Sequence, residues 1–336
     1  MTQTALEKRQ QKQSADERRT KECAFCKGAL EYMYAWDSFK LYQCTACTSQ
    51  TALPTPTAAQ LETYYQEVFY KKSSKALPER WKHRLKLVEH AFDNYLKRWR
   101  QASDKKKPKR FLDIGGGLGY YAKAAVNRGI EACLMDYSDE ALAFGRQTLA
   151  LDWTLQGDIQ KCGEYLDEDY FDFVLARHTI EHMRNPREYV ENIHRVVTAG
   201  GLLQIETPNV VSAEQFGHPQ VMGLNYKTIR RSNPDISTFA AMSYAIAKSV
   251  SGVNPPKHLW GFSPQGLQKL LESSGFEVLE INTVPCGHPT FDPVFYDLYR
   301  LSTRKGLGVP YYFWQRLSSF AFAGSGMNLA ILARKI

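Results

Sequence analysis

The sequence lacks any long apolar run, and that absence removes several classes of protein at once. Its first stretch, MTQTALEKRQQKQSADERRTKE, is polar throughout and holds no apolar core of the kind a secretory signal needs. Export is therefore not expected, and a cytoplasmic location is. The least charged stretch, LSSFAFAGSGMNLAILA, runs 17 residues without a charge but is interrupted by Ser, Gly and Asn, so no transmembrane helix is expected. Collagen-like and coiled-coil biases are missing, as is any internal repeat. Two nucleotide-binding signatures are missing as well. No G-K-[ST] follows the glycine-rich stretch FLDIGGGLGYYAKAA, which excludes a triphosphate loop. Tyr120 stands where a dinucleotide fingerprint needs a third Gly or Ala for close helix-to-sheet packing, which excludes that reading too.

What is present is ordinary globular composition, 43% hydrophobic and 23% charged over 336 residues, enough for one large domain plus an appended module. The net charge of +8 is concentrated. Residues 71–110 carry fifteen Lys and Arg against four Asp and Glu, a local +11. Such a segment could meet a polyanion such as RNA, a nucleotide-linked sugar or an acidic lipid surface; on composition the favoured reading is a solvated helix face followed by an exposed linker, SDKKKPKR.

Four of the seven cysteines fall in two pairs, CAFC (Cys23, Cys26) and CTAC (Cys44, Cys47), with 17 residues between them. This is the spacing of a zinc ribbon, in which two knuckles each present two thiolates and the intervening LEYMYAWDSFKLYQ forms a hairpin. Four thiolates close the shell, so the Zn²⁺ would be structural. Cys133, Cys162 and Cys286 are isolated and read as small buried apolar residues.

Beyond the ribbon, LPTPTAAQLETYYQEVFY reads as a Pro-marked exit and a short helix capped by Thr57. In ERWKHRLKLVEHAFDNYLKRWR, residues Trp81, Leu85, Val88, Phe92, Tyr95, Leu96 and Trp99 recur at spacings of three and four, one face of an amphipathic helix packing on the next domain. From residue 110, short apolar runs (RFLDI, EACLMD, DFVLA, GLLQIE) alternate with helical stretches, which predicts a parallel sheet with helices on its faces. The expected division is a polar tail at 1–20, a ribbon at 21–53, a basic helical linker at 54–107 and an α/β domain at 108–336, with excursions at about 212–257 and 286–325.

The glycine loop reads Asp113-x-Gly115-x-Gly117-x-Gly119. An acid before such a turn suits a cationic ligand and not a phosphate. S-adenosylmethionine carries a sulfonium and an ammonium, and bare glycine backbone lets it lie against the loop. A second acid is then needed at the end of the next strand for the ribose hydroxyls, and Asp136 stands there, followed by Tyr137. A third polar point is needed for the adenine amine; Asp158 fits, with Ile159 beside it as apolar cover.

With these motifs, with FDFVLARHTIEHM, with HLWGFSPQGLQKLLESSGFEV and with the closing GMNLAILARK, the chain resembles the class I S-adenosylmethionine-dependent methyltransferases, particularly a bacterial group with an N-terminal zinc ribbon. The resemblance runs from Cys23 to the last strand. It implies a Rossmann-like seven-stranded methyltransferase sheet whose last strand runs antiparallel, and action on small molecules, including O-methylation of sugars and glycan precursors.

Ligands of open α/β sheets gather at the carboxyl ends of the strands. Arg177, His178, Glu181 and His182 should therefore face the methyl group, Arg177 on the cofactor side. If HTIEH is helical, His178 shares a face with Glu181 and His182. Three roles stay open for this cluster: a general base at His182 or His178, a polar anchor of the loop, or a divalent metal site. The last is suggested by resemblance to the E-x-x-E-H motif of ubiquinone-pathway O-methyltransferases and small-RNA 2′-O-methyltransferases, with His258 as the later ligand and His178 replacing the first Glu. The excursions would form the acceptor pocket, a dimer surface or an interfacial membrane contact. Two rivals to a small-molecule enzyme remain: an RNA-directed methyltransferase using the basic linker, and a catalytically silent module of the same fold, against which the intact acids argue. The fourth strand lacks the [DNS]-P-P-[FYW] of amino-methylating DNA enzymes and the Pro-Cys of cytosine-C5 enzymes.

Overall fold

The computed structural model describes residues 22–64, 81–103, 107–212, 219–247, 253–284 and 326–336. The expected polar tail, the excursion at about 286–325 and part of the basic linker lie outside the described residues.

Nearly continuous apolar runs form strands buried on both faces, as parallel sheets require. They are β4 (Arg110–Ile114), β5 (Glu131–Asp136), β7 (Phe171–Arg177) and β8 (Val197–Pro208), joined by a short, partly exposed β6 (Thr154–Gln156) and by β10 (Phe276–Val284) and β11 (Asn328–Lys335). The order is β10-β11-β8-β7-β4-β5-β6. Strands β4 to β8 are mutually parallel, whereas β11 runs antiparallel to both β8 and β10. The expected seven-stranded Rossmann-like sheet with its antiparallel last strand is therefore present.

Side chains alternate between the two faces. Leu112, Val174 and Ala176 enter one core layer, while Phe111, Phe173 and Leu175 enter the other. The second layer is closed by α2 (Trp81–Ser103), whose Val88, Phe92, Tyr95, Leu96 and Trp99 are buried. Phe92 meets Phe111 at 5.1 Å, ring centre to ring centre. Burying a side chain of this size stabilises by about 1.5–3 kcal/mol, so α2 belongs to the core of the sheet it precedes. Two basic residues, one within the helix and one just after it, are engaged within the chain. Arg98 pairs with Glu280 at 3.1 Å, and Lys107 Nζ donates to the carbonyls of Arg128 and Gly129. Ahead of it, Thr57 caps α1 (Ala58–Tyr64): Thr57 Oγ1 accepts from Gln60 N–H while Gln60 Oε1 accepts from Thr57 N–H.

The cysteine-bearing segment folds as β1 (Leu30–Trp36), β2 (Phe39–Cys44) and β3 (Gln50–Leu53), the expected hairpin plus one strand. A fourth strand comes from far along the chain: β9 (Trp260–Gly261) pairs antiparallel with β3. One face of this sheet receives α6 (Pro219–Ser232) and α7 (Thr238–Ala247), with Tyr34, Trp36 and Leu41 packed against Ile229, Ala241 and Ala245. Asn233 clamps the strand edge, accepting from Ala35 N–H at 2.9 Å and donating to Ala35 C=O at 2.8 Å.

The HTIEH segment is not helical throughout. His178 N–H extends the sheet ladder to Glu206 C=O at 2.8 Å, and its φ is +51°. Only Ile180–His182 make a single 3₁₀ turn before Asn185 caps α5 (Pro186–Val196).

Candidate functional site: a glycine loop and an imidazole cluster

Strand β4 ends in Asp113 and Ile114, and the chain turns through the glycines before α3 (Tyr120–Val126) begins. Gly115 and Gly117 have φ of +67° and +56°, the left-handed region that glycine adopts freely. Their surroundings differ. A Cβ on Gly115 would lie 2.2 Å from Thr179 Cγ2, whereas one on Gly117 would meet nothing within 4 Å. The loop thus presents bare backbone to open space at Gly117 and packs tightly at Gly115. Gly119 opens α3.

Asp113 lies beneath this loop, 2% exposed, with Oδ2 accepting from Ala122 N–H at 3.1 Å. Burial pushes its carboxyl up to about 7; Asp136 adds to the rise, while the Ala122 amide and Arg177 oppose it. At the tip of β5, Asp136 is held at both oxygens. Oδ2 accepts from Gly117 N–H at 2.8 Å and Oδ1 from Ser138 N–H at 2.9 Å, and burial raises its pKa as well. Ser138 is itself fixed as the cap of α4 (Asp139–Gln147). An ionised carboxylate accepts at about four sites, so with the Gly117, Ser138 and Tyr137 amides acting on it this fixed carboxylate can still accept a hydroxyl. Tyr137 beside it is exposed. At the end of β6, exposed Asp158 caps a 3₁₀ turn through Gln160 N–H at 3.0 Å. Ile159 reaches to 3.2 Å from the position a Gly115 Cβ would take. The loop, Asp136 and Ile159 thus converge. Arg177 is otherwise engaged, its Nε donating to Glu206 Oε2 at 2.6 Å and its guanidinium 5.0 Å over the Tyr121 ring.

Beyond the loop lies the imidazole cluster. Glu181 is 1% exposed, with Oε2 accepting from Thr207 Oγ1 at 2.9 Å. Its Oε1 has no hydrogen-bond partner, and faces His178 Nδ1 at 3.5 Å and His182 Nε2 at 3.9 Å. Burial alone would raise Glu181; the interaction with His178 and the neighbouring imidazoles outweigh it and hold the carboxyl at about 2. His182 Nδ1 lies 2.7 Å from Lys257 C=O, an acceptor only, so this nitrogen carries the proton. His258 stacks edge-on to His182 at 4.9 Å, and burial foremost pushes it down to about 3. Glu181, His182 and His258 each bring a ligand atom within 4.8 Å of the others. His178 Nε2 is buried and unpartnered.

The cysteine cluster is separate from both. Cys23 Sγ lies 3.7 Å from Cys47 Sγ, and Cys26 Sγ 3.4 Å from Cys44 Sγ. These are too long for disulfides, whose sulfurs sit about 2.05 Å apart. They match the edge, about 3.8 Å, of a tetrahedron with metal–sulfur bonds of about 2.3 Å. Each pair bridges the two knuckles, which are closed alike, Lys27 N–H to Cys23 C=O and Thr48 N–H to Cys44 C=O, both 3.0 Å.

Sequence reasoning missed four participants: Glu206, which joins Arg177 to Tyr95 of α2 (Tyr95 Oη to Glu206 Oε1, 2.5 Å); Thr207; Thr179; and the ribbon's fourth strand. The signal for Glu206 and Thr207 was a Glu and a Thr closing the mostly apolar run GLLQIET.

No curated protein matches the chain. Among solved structures, it is similar to an S-adenosylmethionine-dependent methyltransferase of Archaeoglobus fulgidus (18% identity, 80% of this chain and 100% of that one, TM-score 0.47). It is also similar to 1,6-didemethyltoxoflavin-N1-methyltransferase of Burkholderia thailandensis, determined with S-adenosylhomocysteine bound (14% identity, 91% and 99%, TM-score 0.48). Residues 81–281, well over half of the chain, match the family profile described as methyltransferase domain. The chain belongs to that methyltransferase-domain family.

Proposed function

We propose that the protein transfers a methyl group from S-adenosylmethionine to a hydroxyl of a small molecule of the sugar or glycan-precursor class. The observation that carries the reading is the pairing of Gly117, open to space, with Asp136, whose two oxygens are oriented by backbone amides. Asp136 would hold the ribose hydroxyls, Asp113 would balance the cationic end from beneath the loop, and Asp158, Ile159 and Tyr137 would border the adenine. When bound, the cofactor supplies an electrophilic methyl group.

His178 is the general base of this reading. Glu181 Oε1 faces its Nδ1 at 3.5 Å, close enough to stabilise the imidazolium that forms, and the buried, unpartnered Nε2 is the atom that takes the acceptor's proton. A base contributes roughly 10²- to 10⁴-fold, and alignment of the two reactants, with effective molarities of roughly 10⁵ to 10⁸ M, contributes more. The positive φ of His178 fits a side chain held where the sheet ends and the chemistry begins.

A second reading has one specific support. Glu181, His182 and His258 converge closely enough to hold a divalent ion, and the His182 nitrogen turned away from them bonds a carbonyl, as metal-bound imidazoles commonly do. The four cysteines would hold structural Zn²⁺.

Calorimetry with S-adenosylmethionine, then mass spectrometry of metabolite pools incubated with methyl-labelled cofactor, tests the proposal. No cofactor binding would end it, and a labelled nucleic acid in place of a labelled metabolite would replace its acceptor. On the true acceptor, His178→Ala is expected to lower turnover roughly 10²- to 10⁴-fold at unchanged cofactor affinity, whereas loss of turnover restored by added divalent ion would favour the metal reading.

A further inference from the structure

We infer that the four-cysteine ribbon is a positioning element of the transfer site, because both chain segments that carry the Glu181–His182–His258 cluster are fastened to it. The inference rests on the reading that this cluster faces the acceptor.

The first fastening is a backbone relay. Glu181 C=O accepts from Leu259 N–H at 2.9 Å, and Leu259 C=O accepts from Ala52 N–H of β3 at 3.1 Å. His258 immediately precedes Leu259, so the relay fixes the height of its ring over Glu181. Next along the chain, Trp260 is both a ribbon strand residue, opposite Thr51, and a side-chain donor to Met183 C=O at 2.7 Å. Phe25, between the first two cysteines, stacks on Phe262 at 4.8 Å and meets Trp260 at 5.4 Å. Ser263 caps α8 (Pro264–Glu272) through Gly266 N–H, and its hydroxyl also bonds Cys47 C=O and lies 3.0 Å from Ser49 Oγ. From the other segment, Arg184 Nε donates to Pro56 C=O at 3.0 Å and Arg187 Nη2 to Ala24 C=O at 3.3 Å.

The glycine loop is fastened elsewhere. Gly115 N–H goes to Met135 C=O at 2.7 Å and Gly117 N–H to Asp136, both on β5. A change in the ribbon therefore reaches the imidazoles before it reaches the cofactor loop. Two short segments, a single 3₁₀ turn and a two-residue strand, gain from the ribbon the rigidity that a longer element would have supplied, and a misplacement of about 1 Å in such a site is costly.

The test follows the imidazoles directly, so that it does not depend on knowing the acceptor. Protein labelled with ¹⁵N-histidine is compared with Ala52→Pro, which deletes the donor to Leu259 and keeps all four thiols. The expected result is displaced ring-nitrogen signals for His182 and His258 at fixed pH, an unmoved His194, unchanged metal content and S-adenosylhomocysteine affinity within about threefold by calorimetry. Unmoved His182 and His258 signals overturn the inference. So does displacement that occurs only together with lost S-adenosylhomocysteine binding, since that is general unfolding. Should Ala52→Pro fail to fold or shed its metal, Trp260→Phe removes the donor to Met183 while keeping an aromatic ring against Phe25, and the same displaced or unmoved signals then support or overturn the inference. Parent protein that binds no S-adenosylhomocysteine, or holds no metal, counts against the proposed function and leaves the spectral comparison readable.

Discussion

A carboxyl buried under a glycine loop holds its proton more tightly in the fold than in the unfolded chain, and Asp113 is held at about 7 against an ordinary value near 4. Between those two pH values the folded state binds the extra proton, so stability falls as pH rises, and above 7 the full cost of the buried charge remains. Asp113→Asn keeps an acceptor for Ala122 N–H and is expected to raise the melting temperature of the ligand-free protein by several degrees at pH 8, and by less at pH 5. A cationic ligand binds the ionised form. Affinity for S-adenosylmethionine should therefore climb by up to about tenfold per pH unit toward 7 and then level, a slope that calorimetry should find missing in Asp113→Asn. The two glycines separate stability from binding. Gly115→Ala drives a Cβ to 2.2 Å from Thr179 and should destabilise by about 2–3 kcal/mol. Gly117→Ala adds its methyl to open space at the cost of about 1–2 kcal/mol of left-handed strain, and should lower cofactor affinity more than tenfold.

Among the elements, α2 binds the site to the core. Its Tyr95 donates to Glu206, which holds Arg177, and all three lie at the carboxyl ends of β7 and β8 or against them. Tyr95→Phe removes one donor from a buried carboxylate. Denaturant melts should report a loss of about 1–3 kcal/mol, with Arg177 then the remaining charged partner. This arrangement was not legible in the sequence, because Tyr95 and Glu206 are 111 residues apart and each reads as an ordinary member of its own pattern. The glycine loop and its acids were legible for the opposite reason: Asp113, Gly115 and Gly117 share one turn, and Asp136 follows by one helix and one strand, so local spacing carries the geometry. HTIEH misled because its spacing suits a helix while His178 still belongs to the sheet ladder. A two-residue strand such as β9 has no periodicity to read at all.

At the scale of the whole molecule, the ribbon and the sheet share a core: Cys23, Phe25, Cys44 and Cys47 pack in one cluster with Phe262, Leu267 and Leu271. Cys44→Ser should thus cost stability in the sheet as well as in the ribbon. If the thiolates hold zinc as proposed, elemental analysis should find the chain stripped of it, and melting should occur in a single lowered transition that includes the sheet; a ribbon that melts alone would contradict the shared core. Among the described residues no helix is long and apolar enough to cross a membrane. The strand order of the small sheet has one more consequence, for biosynthesis. Strand β3 ends at Leu53, but its neighbour β9 ends at Gly261, so roughly two hundred residues leave the ribosome before that edge can close. At about 5–20 residues per second the nascent chain spends on the order of ten to forty seconds with an unpaired strand edge exposed. For that interval the thiols are held together without the help of β9.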